Sequence, residues 1–359
     1  MARTAARSTW RCFRPARCPD QLVCADNEGV IRTRFTDLMG IDHPVVLAGM
    51  SGDTSPELVA AVSNAGGLGI YGATSDTPEE MAAAVAAIRE KTRAPFGLNL
   101  LLCFAEDSEI RAALETKPSV LSTSWPRDDQ DLKAVFAAAH ERGVKVLHMV
   151  PAVGDAVRAA EAGADAVIAQ GTDGGGHIGL IGTTVIVRQV VRAVSSVPIL
   201  AAGGICDGSG LAAMLALGAD GVLMGTRFLA TPEAPAHDAV KKAILNSDGT
   251  DTIVTDVGDI LMGNEWPGAM ARVSRNHLIE RWLGRANELR RHREPLREAM
   301  FAARKRGELD EALLYWGQGA GLIDEILPAG KVVSDLVTEA ETILSARLPG
   351  LVAREAPTR

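Results

Sequence analysis

Apolar residues along the chain fall into short, near-continuous runs, separated by stretches in which they recur every three or four positions. The runs lie at 45–48, 68–71, 96–101, 120–124, 144–150, 166–170, 199–202 and 221–224, each carrying Val, Ile, Leu or Phe. Unbroken runs this short predict strands buried on both faces. Between them, Ala-rich segments at 56–65, 78–91, 129–142, 155–162, 184–194 and 208–217 read as helices. Glycines punctuate the return from helix to strand, as in Asn64-Ala65-Gly66-Gly67 and Ala216-Leu217-Gly218. Eight β–α units between Pro44 and about Lys242 predict a closed TIM (β/α)8 barrel rather than an open doubly wound sheet.

The pattern changes beyond the eighth strand. Residues 235–325 read as mainly helical and more charged, with Arg290-Arg291-His292-Arg293 and Arg304-Lys305-Arg306 as solvated helix faces. A glycine-rich break, Trp316-Gly317-Gln318-Gly319-Ala320-Gly321, precedes a last amphipathic helix at about 334–347. The predicted organisation is a tail (1–29), the barrel (30–234), a smaller helical substrate or lid domain (235–325), and a C-terminal helix and tail (326–359). Residues 1–19 hold five arginines and no acid, a charge pattern like that of a transit peptide. Their apolar content is too low for a secretory leader, and a tail ahead of the folded chain is the preferred reading.

Composition narrows the function classes. The 359 residues are 47% hydrophobic and 23% charged, with a net charge of −8, so a dedicated nucleic-acid binder is disfavoured. Apolar runs end long before the ~18 residues of a membrane span. Five cysteines, three of them in the first 24 residues, form no CxxC pair or Cys/His cluster. Cys103 and Cys206 read as buried thiols, no metal site is expected, and the expected compartment is the reducing cytoplasm.

Gly67-Leu68-Gly69-Ile70-Tyr71-Gly72 matches GxGxxG but follows a helix and forms a strand, the reverse of what a dinucleotide turn requires. A better anion site lies where strands seven and eight run into Ala202-Gly203-Gly204-Ile205 and Met224-Gly225-Thr226-Arg227. Barrel enzymes commonly hold phosphate on these two loops, although such glycines also serve plain tight turns. Strand six ends in Gln170-Gly171-Thr172-Asp173-Gly174-Gly175-Gly176-His177-Ile178-Gly179. A histidine in a glycine run has few neighbours to bury it, and here it would sit at the barrel mouth as an acid/base. His148, ending strand five, could also line that mouth. No HExxH, GxSxG or Walker pattern occurs.

Gly49-Met50, Ser55-Pro56-Glu57-Leu58, Asn64-Ala65-Gly66-Gly67-Leu68-Gly69, Gly97-Leu98-Asn99, Gly175-Gly176-His177, Ala201-Ala202-Gly203-Gly204-Ile205 and Met224-Gly225-Thr226-Arg227-Phe228 together resemble the nitronate monooxygenase family. The resemblance runs from about residue 31 to 347. It implies FMN at the barrel mouth, its phosphate on Gly204, Gly225 and Thr226 with backbone from Leu223 and Met224. It also implies that Ala48, Gly49 and Met50 pass beneath the ring, that Asn99, Gln170 and Gly175 hydrogen-bond the cofactor, and that His177 is catalytic. Strand one departs from the family's Ala-Pro-Met, reading Ala48-Gly49-Met50.

The implied activity is oxidation of alkyl nitronates, or of nitroalkanes, by O2 to a carbonyl compound and nitrite. The alternative is an NAD(P)H-dependent flavin reductase of enoyl thioesters or quinones. A flavin-binding barrel without catalysis is a third reading. Expected partners are a small-molecule substrate and O2, or NAD(P)H on the alternative, with no nucleic acid or membrane and with homodimer formation left open.

Overall fold

The computed structural model describes residues 31–352. The 1–29 tail and the first three cysteines therefore lie outside the described residues. Eight parallel strands form the barrel: β1 (Val45–Leu47), β2 (Gly69–Gly72), β3 (Phe96–Leu101), β4 (Val120–Ser124), β5 (Lys145–Val150), β6 (Ala166–Gln170), then, past the short β7 (Gly176–Ile178), β8 (Ile199–Ala202) and β9 (Gly221–Met224). Their order is β1-β9-β8-β6-β5-β4-β3-β2. The ring closes between its ends, where Leu47 N donates to Leu68 O at 3.0 Å and Leu68 N to Val45 O at 2.9 Å. The eight predicted runs match these strands to within one residue at either end.

Alternation along each strand sorts side chains into two apolar layers. Val46, Leu68, Ile70, Val120, Leu147, Ile168, Leu200 and Leu223 fill the barrel. Phe35 and Met39, on the helix Arg34–Met39, belong to the same layer. That helix starts with a Thr33 capping box and is tied by Arg34 to Asp220, just before β9, so it plugs the N-terminal end. Val45, Leu47, Leu98, Leu121, Val146 and Val167 point outward to meet Leu58, Val62, Val85, Ile88 and Phe136 of the surrounding helices. Full burial of one such side chain contributes about 1.5–3 kcal/mol. One helix of the ring, Asp107–Glu115, was not expected; its sequence is charge-rich and only Ile110, Ala113 and Leu114 are buried.

After β9 the chain turns through the short helix Thr226–Leu229 and leaves the barrel, so its eighth outer position needs another occupant. The C-terminal helix Ala329–Thr342 supplies it, packing on Gly208–Ala216 and Pro56–Asn64. A Cβ at Gly208 would lie 2.5 Å from Leu336 O, so glycine permits this backbone-to-backbone approach. Glu339 accepts from Gly208 N at 2.9 Å and Ser209 Oγ at 2.8 Å.

The segment expected to be a mainly helical lid is helical with a sheet inside it. Strands β10 (Thr252–Thr255) and β11 (Met270–Ser274) run antiparallel, and β11 pairs in turn with β7. These strands escaped the pattern because each is short and is defined by partners distant in sequence. The lid has its own core, including Val257, Leu261, Val273, Leu278, Trp282 and Leu289. Among the described residues no helix is long and apolar enough to cross a membrane.

Candidate active site

The C-terminal ends of the strands open into a cavity of about 340 Å³. Ala48, Gly49, Met50, Asn99, Gln170, Gly175, His177, Gly204, Leu223, Met224, Gly225 and Thr226 all line it. The structure thus brings these twelve residues together, but not His148. It also adds Asp53, Trp125, Trp266, Tyr315 and Trp316, which no local motif marked.

One wall is backbone. Gly203 and Gly204 have φ of +111° and +72°, the left-handed region that favours glycine. A Cβ on Gly204 would come within 2.9 Å of Asp173 Cβ. Asp173 is itself fixed, accepting from Thr183 N at 3.1 Å while its carbonyl accepts from Gln318 N at 2.9 Å. Arg272 donates twice to Thr172 O, at 3.1 and 2.9 Å, so the glycine run after β6 is pinned from three directions. Gly225 opens the short helix after β9 with no side-chain cap. Thr226 Oγ1 accepts from Gly317 N at 3.0 Å, which leaves its own O–H free to donate. At Gly49 a Cβ would lie 2.3 Å from Asn99 Cβ, so the family's proline would displace Asn99 from its bonds to Ser122.

The donor set suits an anionic cofactor rich in hydrogen-bonding groups. Gln170 carries a buried side-chain oxygen with no partner among the described residues, and Gly175, Gly203 and Gly204 line the cavity with bare backbone that their close neighbours would not allow to carry a side chain. No group of three or more His, Cys, Asp or Glu that could hold a metal ion occurs among the described residues.

The opposite wall is made of side chains, and here the sequence reading of His177 needs correction. The residue is not a loop histidine short of neighbours but lies on β7, paired across from Ala271 of β11. Its Nε2 is 2.8 Å from Asp259 Oδ1, with both side chains about 10% exposed. The Trp266 ring stacks on its imidazole, centroids 3.3 Å apart and planes at 12°. Asp259 ends up beside His177 because it lies on the lid helix Val257–Met262, and Trp266 follows in the loop before β11. With Asp259 accepting from Nε2–H, Nδ1 is the ring nitrogen without a partner among the described residues.

His148 does not line the mouth. Its side chain points outward, bonds Thr123 Oγ1 at 2.8 Å and packs on Phe136, and burial lowers its pKa to about 4. Alternation along β5 turns it to the helix layer. Arg304 corrects the reading of its basic cluster as wholly solvated: its Nη2 reaches both oxygens of Asp53, at 2.6 and 2.7 Å, tying the lid to the loop after β1. Burial pushes the Cys206 thiol up to about 12 and holds the Tyr315 hydroxyl well above its ordinary range. Neither group is an anion at neutral pH.

The barrel, its glycine cradle and the histidine–carboxylate pair at its mouth make this a TIM-barrel enzyme, and its relatives put it among the flavin-type oxidoreductases. The family model for nitronate monooxygenase matches residues 32–118 and 103–339, and the chain belongs to that family. A Mycobacterium tuberculosis relative, named (3aS,4S,5R,7aS)-5-hydroxy-7a-methyl-1-oxo-octahydro-1H-indene-4-carboxyl-CoA dehydrogenase, is 40% identical over 70% of this chain and 68% of its own length. Among solved structures, FabK from Thermotoga maritima is 37% identical with a TM-score of 0.81, over 90% of this chain and all of that one. Nitroalkane oxidase from Streptomyces ansochromogenes is 30% identical with a TM-score of 0.76, over 88% of this chain and all of that one.

Proposed function

We propose that the protein binds FMN and oxidises alkyl nitronates with O2 to a carbonyl compound and nitrite, accepting neutral nitroalkanes after removal of a proton. The observation that carries this reading is His177, which lines the cavity and is held through Nε2 by Asp259. Nitroalkanes are carbon acids, and Nδ1 of an imidazole oriented by a carboxylate is suited to take the proton next to the nitro group. Once protonated, the same ring is a cation positioned for the planar nitronate anion. FMN bound in the cavity supplies the oxidising power and the route for electrons to O2.

Gly204, Gly225 and Thr226 would hold its phosphate, with the backbone of Leu223 and Met224 alongside. Ala48, Gly49 and Met50 would support the ring, and Asn99, Gln170 and Gly175 would bond its polar edge. A cradle for one terminal phosphate suits FMN rather than FAD, so denaturation should release FMN. Likeness to FabK favours a second reading, in which NAD(P)H is the electron donor and His177 the proton donor to an enoyl thioester.

Anaerobic mixing separates the two. Bleaching of the oxidised flavin band by a nitronate, and not by NADPH or NADH, is the expected result. Bleaching by a reduced nicotinamide alone would overturn the nitronate reading.

A further inference from the structure

Aromatic residues make up 4% of the chain, yet three of its five tryptophans and one of its two tyrosines line this one cavity. Trp316 lies on the cradle side, where its backbone meets Gly175. The other three, Trp125, Trp266 and Tyr315, gather on the side of His177. Trp266 covers one face of the imidazole, and the Tyr315 ring lies 6.3 Å from it. Trp125 meets Trp266 edge to face, with centroids 6.1 Å apart and planes at 87°.

Trp125 is held there against its backbone preference. Its φ is +50°, a left-handed conformation that bulky side chains rarely adopt, and it follows directly on the last residue of β4. Continued as a strand, residue 125 would carry its indole along the barrel wall. The left-handed turn instead presents it to the mouth, where it is only 6% exposed. The bond from Cys103 N to Trp125 O at 2.8 Å fixes that turn. Strain of this kind persists where the surroundings over-determine it, and it clusters at ligand sites.

Trp266 arrives from the other direction, on the lid loop between Gly263 and Gly268, both with positive φ. Its only aromatic neighbours besides His177 and Trp125 among the described residues is Phe104, edge-on at 5.0 Å. Barrel and lid thus each contribute one indole to a wall beside the same imidazole.

We infer that the substrate carries a ring, saturated or aromatic, attached at or next to the acidic carbon, and that Trp125 and Trp266 are the residues that select it. This rests on the nitronate reading above and names the substrate class within it. The parts of Trp125 and Trp266 that line the cavity are flat, rigid and apolar, a surface that a ring covers at little cost in its own conformational freedom. A short flexible chain covers a fraction of that surface and loses rotamer freedom in doing so.

The binding test needs no turnover. Carboxylates share the planar anionic head of a nitronate but do not react, so dissociation constants of cyclohexanecarboxylate and benzoate are compared with those of propionate and butyrate on the flavin-loaded protein. Ring acids should bind at least tenfold more tightly, and kcat/KM should rank nitrocyclohexane and phenylnitromethane nitronates above those of nitroethane and 1-nitrobutane. Trp266→Ala should cut the ring-to-chain ratio of dissociation constants by tenfold or more, and Trp266→Phe by less than threefold. Equal binding of ring and chain acids by the native protein would overturn the inference, whatever the variants do. Ring-selective binding with no bleaching by any nitronate would instead overturn the nitronate reading and leave the ring-selecting wall standing.

Discussion

On the cradle side of the cavity the groups that meet a ligand are backbone amides, freed by glycine and held within short loops at the ends of β8 and β9. On the other side they are long side chains that reach in from segments far apart. His177 and Asp259 are 82 residues apart in sequence, and Asp53 and Arg304 are 251 apart. The cradle glycines therefore all come from the barrel, although Arg272, Gly317 and Gln318 brace them, whereas the His177 wall takes Asp259 and Trp266 from the segment 235–325. On the proposed function, binding of an anion and activation of a base fall to parts of the molecule with different tolerance for motion and for substitution.

That division separates loss of chemistry from loss of cofactor. The largest effect is expected at His177. Replacement by Asn should lower turnover by about 10²–10⁴-fold while flavin content stays at the native level, with the neutral nitroalkane affected more than the pre-formed nitronate. Native turnover on both forms would remove His177 from the mechanism.

His148, one layer away, should behave in the opposite manner, with stability changing and chemistry not. Burial lowers its pKa from 6.5 to about 4, so the folded state favours the neutral ring and protonation favours unfolding. Its contribution is fully present above about pH 6.5, declines as the pH falls toward 4, and changes no further below that. The loss amounts to roughly 3 kcal/mol at most. Melting curves of the native protein and His148→Gln should diverge across that window, and curves that stay parallel would refute the assignment.

The cradle itself is probed by Gly204→Val. The new side chain must enter at φ +72° and within 2.9 Å of Asp173 Cβ. Flavin affinity should fall on the order of 100-fold through strain and lost amide geometry, while substrate selectivity in the residual loaded protein stays native. Retention of flavin at native affinity would mean that the anion is held elsewhere.

How much of this was legible beforehand follows from the same contrast. The eight strands and the glycine loops announce themselves locally, through unbroken apolar runs and glycines at matched places after β8 and β9. The pairing of His177 with Asp259 has no local signal. It depends on β7 adding to β11, and a three-residue strand containing glycine has almost no propensity of its own. Arg304 likewise reads as a solvated surface residue, and Trp266 carries no motif, until the segment 235–325 is placed against the barrel. Eight apolar units predict a barrel, but nothing in residues 235–325 states where that segment docks.

Asp259→Asn tests the docked wall more gently. The amide preserves the size of the side chain but presents the ring with a different donor and acceptor choice, so the imidazole tautomer is no longer imposed. Turnover of the neutral nitroalkane should drop about tenfold or somewhat more, with little change for the nitronate and none in flavin content. An equal loss on both substrates would point to a displaced ring rather than an altered proton.

The smallest effect is expected at the tie between lid and barrel. Arg304 and Asp53 are 33% and 15% exposed, so water screens the pair, and its contribution is about 1 kcal/mol. Arg304→Met keeps most of the apolar stem while leaving the Asp53 carboxylate without its guanidinium. The global melting temperature should therefore shift by only a degree or two. The lid should respond more than the barrel, because its other attachments near the mouth, among them the β7–β11 pairing, the Arg272 bonds to Thr172 O, the His177–Asp259 contact and the stacking of Trp266 on His177, are few beside the contacts within the barrel. Amide exchange across the helix Ala286–Arg306 and the loop around Trp266 should accelerate about fivefold, corresponding to loss of roughly 1 kcal/mol in the local opening equilibrium, while exchange in β3 to β6 stays native. If exchange in lid and barrel rises together, the ion pair belongs to global stability. If neither changes, the ion pair adds nothing to docking, and the two walls are joined at β7 and His177 rather than at Asp53.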